Sequence, residues 1–442
     1  MIVATVSLRR TPAMLVKTLL NQVHPVKGFV YGRIHRVADR AQVCGYRLEV
    51  AVRPRAGSRG LCSGCGQRGP TYDTGEEARA FDFVPLWGIA VVLLYALRRI
   101  DCGRCGVKVE AVPWVAPGSK SRMTLAFTVF LARWARRLSW KEVAAVFHVS
   151  WDRVYRAVEG VVEYGLKHRD LSGIGAIGVD EVAWAKGHFY LTLVYQLDEG
   201  RRRLLHIAEG RSVKSFLGFF QMLKKAGKAR GQDLIGGIGF VCSDMWAAYR
   251  KVIARKLPHA LHILDRYHIV ANLNKALDQI RAEEARNLTK QGWDVLKRTR
   301  WLLLRRRKRL TGKQRWKLHQ LLCWDLKTVR AYILEEGLQA LWEYRSPTYA
   351  GRFLDAWCRW AMRSRLEPIK KVARSLREHR EPILNWFRAK KRFNAGIVEG
   401  YNGRVKLRFR KACGFRTFRA AEVALYHELG ALPEPELTHG FC

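Results

Sequence analysis

Acidic residues are scarce in this chain: 38 Asp and Glu stand against 80 Lys and Arg in 442 residues, for a formal charge of +42 at pH 7 and an isoelectric point near 10.4. No carboxylate occurs before Asp39. So large an excess of one sign makes a globular protein repel itself unless a polyanion is its usual partner, and nucleic acid is the first candidate. A ribosome-associated factor or a basic membrane-surface protein would also account for the charge, but neither needs the acids discussed below. Long apolar runs are also missing. The longest, Val84 to Leu97, is interrupted by Pro85 and Gly88 and falls short of the roughly 20 residues that cross a bilayer, so no membrane span is expected. The N-terminus lacks a compact apolar core ahead of a small-residue cleavage site, so no signal peptide is expected and the cytoplasm is the expected compartment. Six of the ten cysteines (Cys44, Cys242, Cys323, Cys358, Cys413, Cys442) follow no pattern. That excludes a disulfide framework and suits a reducing compartment.

What is present suggests several domains, each able to bury its own core. There is no repeat and no low-complexity tract. An N-terminal segment (1–55), in which Met14 is an alternative start, precedes a Gly- and Pro-rich stretch carrying the paired cysteines (56–118). A helix-forming region (119–170) follows. From Gly173 the pattern becomes strand-like. Ile174 to Val179 is short and apolar, His188 to Leu197 alternates, and Asp198-Glu199-Gly200 turns into Leu204 to Ala208, which reads as a three-stranded meander. Ser212 caps a helix to about Ala226; Leu234 to Cys242 reads as a strand, Trp246 to Lys256 as a helix and Ala260 to Leu264 as a strand. The order β-β-β-α-β-α-β (171–271) packs as a mixed sheet with helices on its faces. Its first and fourth strands are parallel neighbours, which ends Asp180 and Asp244 on one edge. Residues 272–380 read as a helical insertion. The C-terminal part (381–442) has Asn394 as a cap, a helix through about Lys411, a stop at Gly414 and a last helix from Arg419 to Leu429.

Three constellations carry chemistry. Cys62-x-x-Cys65 and Cys102-x-x-Cys105, each followed by glycine, can supply four thiolates to a structural zinc ion, with Phe81 to Leu97 as the hairpin of a zinc ribbon. Ser139 and Glu142 form a capping box, Ser150 caps a second helix, and Val154 and Val158 face inward, which reads as helix-turn-helix. Trp151, Asp152, Arg153 and Arg156 would then face the major groove. Asp180 and Asp244 at neighbouring strand ends suit phosphodiester cleavage by two divalent ions about 4 Å apart. Glu399, Asn402 and Lys406 share one helix face by spacing and would add a third ligand with phosphate-contacting neighbours. The basic run Arg305-Arg306-Arg307-Lys308-Arg309, and Arg404 with Lys406, are read as phosphate contacts, which position DNA without reading it. Taken singly, each acid could be a turn residue, a helix cap or half of a surface ion pair.

Gly178-Val-Asp180-Glu181, Cys242-Ser-Asp244-Met-Trp-Ala-Ala-Tyr249, Asp265-Arg-Tyr-His268, Val398-Glu399-Gly-Tyr-Asn402-Gly-Arg-Val-Lys406 and the closing Gly414-Phe-Arg-Thr-Phe418 together resemble the bacterial insertion-sequence transposases of the ISL-three family, over nearly the whole chain. The resemblance implies a multidomain α/β protein: a ribonuclease-H-like mixed sheet with a helical insertion, preceded by a zinc ribbon and a helix-turn-helix. It also implies an Asp-Asp-Glu triad at Asp180, Asp244 and Glu399 and two Mg2+ ions per site, with Mn2+ able to substitute. Asp265 and His268 would lie near the chemistry. The front end would bind the element's terminal inverted repeats in double-stranded DNA, within a homodimer or larger assembly at the bacterial nucleoid. A zinc-ribbon and helix-turn-helix regulator without catalysis, and a structure-specific nuclease of the same core, are the alternatives.

Overall fold

The computed structural model of this chain describes residues 15–116, 121–185, 187–392 and 396–437. The chain divides into two compact units, one of residues up to Arg169 together with those from Arg419 onward, the other Asp170–Phe418. Asn394, read as a helix cap, lies outside the described residues. Two arrangements in the front unit differ from expectation. The hairpin Arg79–Leu86 and Ile89–Tyr95 turns through Trp87 and Gly88, both at positive φ, the two-residue turn that matches strand twist. It belongs not to a ribbon around the cysteines but to a four-stranded sheet with Phe29–Ala38 and Tyr46–Pro54. The reason is apolar content: Phe29, Phe81 and Tyr95 set their rings edge-on to Trp114 at 4.9–5.8 Å, a core that short cysteine knuckles cannot supply. The second difference is residues 419–442, expected with the catalytic core. They group with the front unit, where Arg419 pairs with Glu159 and Glu163 and Leu432 fills the space over Gly165.

Three helices follow the sheet: Leu125–Arg137, Trp140–Val146 and Trp151–His168. Ser139 and Glu142 form the capping box, and Ser150 caps the third helix by accepting from the Arg153 amide. Between them His148 takes a left-handed φ of 51°. Val143, Val154, Ala157 and Val158 are fully buried, so the two later helices cross over small apolar contacts as the sequence predicts.

In the second unit a five-stranded mixed sheet has the spatial order Arg203–Glu209, Phe189–Gln196, Ala176–Ala185, Phe240–Ser243, Leu261–Leu264. The first three strands are antiparallel; Ala176–Ala185 runs parallel to Phe240–Ser243, which runs parallel to Leu261–Leu264. Strand alternation sends Ile177 and Val179 to the face covered by Phe216, Phe219, Leu223 and Ile253, leaving Gly178 and Asp180 on the opposite face. There the Gly396–Lys411 helix lies: a Cβ on Gly178 would come within 2.5 Å of Val398 Cγ2, so glycine permits that approach. The Phe240–Ser243 strand is shorter than expected because Gly236, Gly237 and Gly239, with Asp233 accepting from the Ile235 amide, turn the preceding residues instead of extending them. Residues 272–380 are helical, with no strand among the described residues. The stretch Arg305–Arg309 leaves the helix: Arg305 is extended and only Arg307–Arg309 makes a 3-10 turn.

Candidate active site

Register brings the acids together. Gly178 pairs with Cys242 and Ser243 with Leu264; continuing these ladders aligns Asp180 with Asp244 and Asp244 with Asp265. Three carboxylates thus form a row across three parallel strands. Asp180 is not a strand end, as expected, but sits within Ala176–Ala185, just past the point where parallel pairing stops. Asp244 and Asp265 each follow their strand directly. In both, Oδ1 accepts an amide two residues on, from Trp246 at 2.9 Å and from Tyr267 at 2.7 Å. That turn fixes the carboxylate and leaves its second oxygen available.

Asp180 is held most firmly. Its Oδ1 accepts from the Glu181 amide at 2.8 Å, and its Oδ2 accepts from Asn402 Nδ2 at 2.6 Å. Asn402 Oδ1 in turn accepts from the Tyr195 hydroxyl at 2.9 Å. Asn402 was expected on a DNA-contacting face with Lys406; it is buried instead and both ends of its carboxamide are engaged. The inner face of this helix is Val398, Asn402 and Val405, while Glu399, Arg404 and Lys406 are exposed. Glu399 lies near enough to Asp265 for its charge to raise that group.

Burial and mutual repulsion set the electrostatics. Burial first, with Asp244 and Asp265 adding to it, pushes Asp180 up to about 6, against the lowering effects of the Glu181 amide and of His268. Glu181 is pushed up to about 7 by burial, then by Asp244 and Asp180. Asp244 and Asp265 are raised chiefly by burial. His268 Nε2 stands 3.7 Å from Asp265 Oδ2. Reading the residues alone missed three participants. Glu181 was indistinguishable from a turn residue, yet its Oε2 is buried without a hydrogen-bond partner. Arg211 sits between Tyr190 at 4.3 Å and Trp246 at 4.9 Å, and its charge acts on Glu181 and Asp244. Tyr195 looked like one more apolar position of an alternating strand. An all-oxygen donor set with an unpartnered buried carboxylate oxygen and repelling neighbours fits hard divalent cations. The carboxylates are more widely spaced than the thiols: among the described residues, only Cys62, Cys65, Cys102 and Cys105 have all their ligand atoms within 4.8 Å of one another.

That thiol cluster is a second site. Gly66 and Gly106, directly after each pair, take φ of 71° and 67°, the left-handed turn that folds each pair back on itself. Amides of Arg104 and Cys105 draw the Cys102 thiol down to about 7, and hydrogen bonding to Cys65, then burial, pushes Cys105 up to about 12. Four sulfurs this close can all be thiolates only around a cation, and the donor set is compatible with zinc. On the helix-turn-helix, Trp151 is exposed and stacks on Tyr155. Among the described residues Arg156 pairs with Asp152 in an exposed i, i+4 bridge. Arg153, expected to face outward, is turned toward Asp82 at 2.8 Å. The five cations of Arg305–Arg309 are exposed, and none has an ion pair among the described residues. No helix among the described residues is long and apolar enough to cross a membrane.

A family model described as transposase matches residues 177–425, and one described as the helix-turn-helix domain of transposase family ISL3 matches residues 110–162. The chain is 28% identical over 407 residues to the transposase for insertion sequence element IS1001 of Bordetella parapertussis, covering 91% of this chain and 96% of that protein. It is 29% identical over 401 residues to the transposase for insertion sequence element IS1557 of Mycobacterium tuberculosis, covering 85% and 87%. With more than half its length inside the transposase model and residues 110–162 inside the family's helix-turn-helix model, the chain belongs to transposase family ISL3.

Proposed function

We propose that this transposase binds the terminal inverted repeats of an insertion sequence in double-stranded DNA and catalyses metal-dependent strand cleavage and strand transfer at Asp180, Asp244 and Glu399. The observation that carries the reading is the in-register row Asp180, Asp244 and Asp265, faced by a helix that presents Glu399 and clamps Asp180 through Asn402. A ribonuclease-H-like core is the fold this strand order and acid placement fit. Asp180, Asp244 and Glu399 would hold two Mg2+ ions, with Mn2+ able to substitute. When bound, such ions stabilise charge on the phosphodiester and activate the attacking hydroxyl. The chain's own residues do the rest. Asn402 fixes the orientation of Asp180, and the turns at Asp244 and Asp265 hold each carboxylate through Oδ1 and leave its Oδ2 free of a backbone bond. His268 can hold or pass a proton at Nε2 beside Asp265, while Arg211 offers a guanidinium to a phosphate next to the acids.

In the front unit Cys62, Cys65, Cys102 and Cys105 would hold a structural zinc ion. Trp151, Arg156 and Arg153, the last once released from Asp82, would meet the end DNA. The basic turn Arg305–Arg309, Arg404 and Lys406 would contact phosphates, and synapsis of two ends implies a homodimer or larger assembly. The direct test is cleavage and joining of a labelled duplex carrying the element's own end, with Mg2+ or Mn2+, by the wild-type chain and by Asp244→Ala. The expected result is metal-dependent cutting and joining that Asp244→Ala abolishes while DNA binding survives. A wild-type chain that binds this end but cuts with neither metal would make it a DNA-binding regulator.

A further inference from the structure

Between Trp293 and Trp324 the helical insertion carries eleven Lys and Arg against a single acid, Asp294, and all four tryptophans of that stretch face solvent. Trp293 is 55% exposed, Trp301 63%, Trp316 64% and Trp324 44%. Indoles are normally among the residues a fold covers, so a cluster of exposed ones signals an occupant. Local structure shows that the core does not need them. On Arg300–Leu304 the buried residues are Leu302 and Leu303, and on Gly312–Leu322 they are Leu318 and Leu321, with Trp301 and Trp316 on the outer faces. Trp293 and Trp324 stand edge-to-face at 6.0 Å, and the Arg300 guanidinium lies 5.2 Å over the Trp301 ring.

We infer that this lobe binds unpaired bases of a DNA strand, by stacking them on the exposed indoles while the cations of Arg305–Arg309 hold the phosphates. Charge selects the class of occupant. A second copy of the chain meeting this face symmetrically would set the same cations against themselves, whereas a polyanion is attracted. The rings select the state of that polyanion. A duplex buries its base faces and offers only phosphates and groove edges, which cations and polar side chains satisfy without stacking aromatics; unstacked bases have free faces that indoles and guanidinium planes cover. The inference rests on the reading of the chain as a DNA-acting protein and adds the substrate state that one of its lobes recognises: an end that is opened, not merely bound.

Binding of the full-length chain to labelled DNA, without divalent metal, tests it. The probes are a blunt duplex, the same duplex with a short unpaired tail, and the same tail made abasic. The tailed duplex should bind about tenfold or more tightly than the blunt one, and the abasic tail, which keeps every phosphate, should lose most of that advantage. Replacing Trp301 and Trp316 together by Ala should remove the preference for the tail and leave blunt-duplex affinity within about twofold, while Phe at both positions keeps part of it. The inference is overturned if the abasic tail binds as well as the normal one. It is also overturned if the Ala variant weakens blunt and tailed DNA alike, or if the variant loses self-association in sedimentation with DNA preference intact. Because no cutting is needed, a chain that prefers the tail but never cleaves would sink the catalytic reading and leave this one standing.

Discussion

A carboxamide can donate to a carboxylate and accept from a phenol at the same time, and Asn402 does both, between Asp180 and Tyr195. Asn402→Ala removes the clamp and leaves a buried hydroxyl unpaired. Cleavage of end DNA should fall about 10- to 100-fold, the usual cost of losing a group that orients a ligand. End binding should be unchanged; a parallel loss of binding would restore Asn402 to the DNA-contacting face expected from spacing. A second residue-scale prediction concerns Glu335 on the Lys327–Gln339 helix. Burial pushes it up to about 7 from an ordinary 4.5, with Glu336 adding to the effect and Gln339 opposing it. A raised carboxyl contributes its stability fully below the ordinary value, and that contribution is lost as pH rises through about 7. Glu335→Gln should therefore stabilise the fold at pH 8 by an amount on the order of 2 kcal/mol, seen as a higher thermal midpoint, and change little at pH 4.5. Equal effects at both values would mean that Glu335 is not buried as a neutral acid. At this scale the candidate site was half legible: Asp180, Asp244 and Glu399 stood out through strand-end placement, helix spacing and the motifs that carry the resemblance, whereas Glu181, Arg211 and Tyr195 join it only through neighbours distant in sequence.

Elements show where local pattern suffices and where it fails. Alternation, caps and turn residues placed the meander, the crossover helices and the parallel strands of the mixed sheet close to where they lie, because each depends on residues within one turn or one strand. The Trp87-Gly88 hairpin was also placed, but not its partners. Sheet membership depends on Phe29 and Trp114, far from it in sequence, and no local signal carries that choice. The Gly396–Lys411 helix packs closely over the Ala176–Ala185 strand. At Gly178 an added methyl would meet Val398 and Leu197, so Gly178→Ala should destabilise the core by about 1–3 kcal/mol and draw Asn402 away from Asp180, lowering cleavage. Adding Val398→Ala should recover much of both losses. If Gly178→Ala unfolds at the wild-type temperature and cuts normally, the helix is not seated on this strand.

On the scale of the whole molecule, two units with separate cores predict separable stability. The front unit's thiol cluster cannot keep four sulfurs together as thiolates without a cation, so stripping zinc with a chelator, or Cys62→Ser, should remove or greatly lower the front unit's calorimetric transition. The transition of Asp170–Phe418, whose sheet shares one apolar core with the Val213–Arg230 and Ala247–Lys256 helices, should move only a few degrees. Joint loss of both transitions would mean that the units do not fold independently. The chain-wide charge belongs to this scale as well, since +42 explains attraction to a polyanion without naming which surface meets it.

The sequence by itself determined the partner class, the cysteine and helix-turn-helix modules, and the order of strands and helices, and it singled out the three acids proposed for catalysis. Each follows from composition, from spacing within a few residues, or from a resemblance carried by short motifs. Only the tertiary structure decided that Asp265 continues the row of Asp180 and Asp244, that Asn402 turns inward, that Arg153 leans on Asp82, and that the last helix groups with the front unit. Those outcomes depend on strand register and on side chains meeting across tens to hundreds of residues. A contact between distant positions leaves no periodic trace in either of the segments that make it.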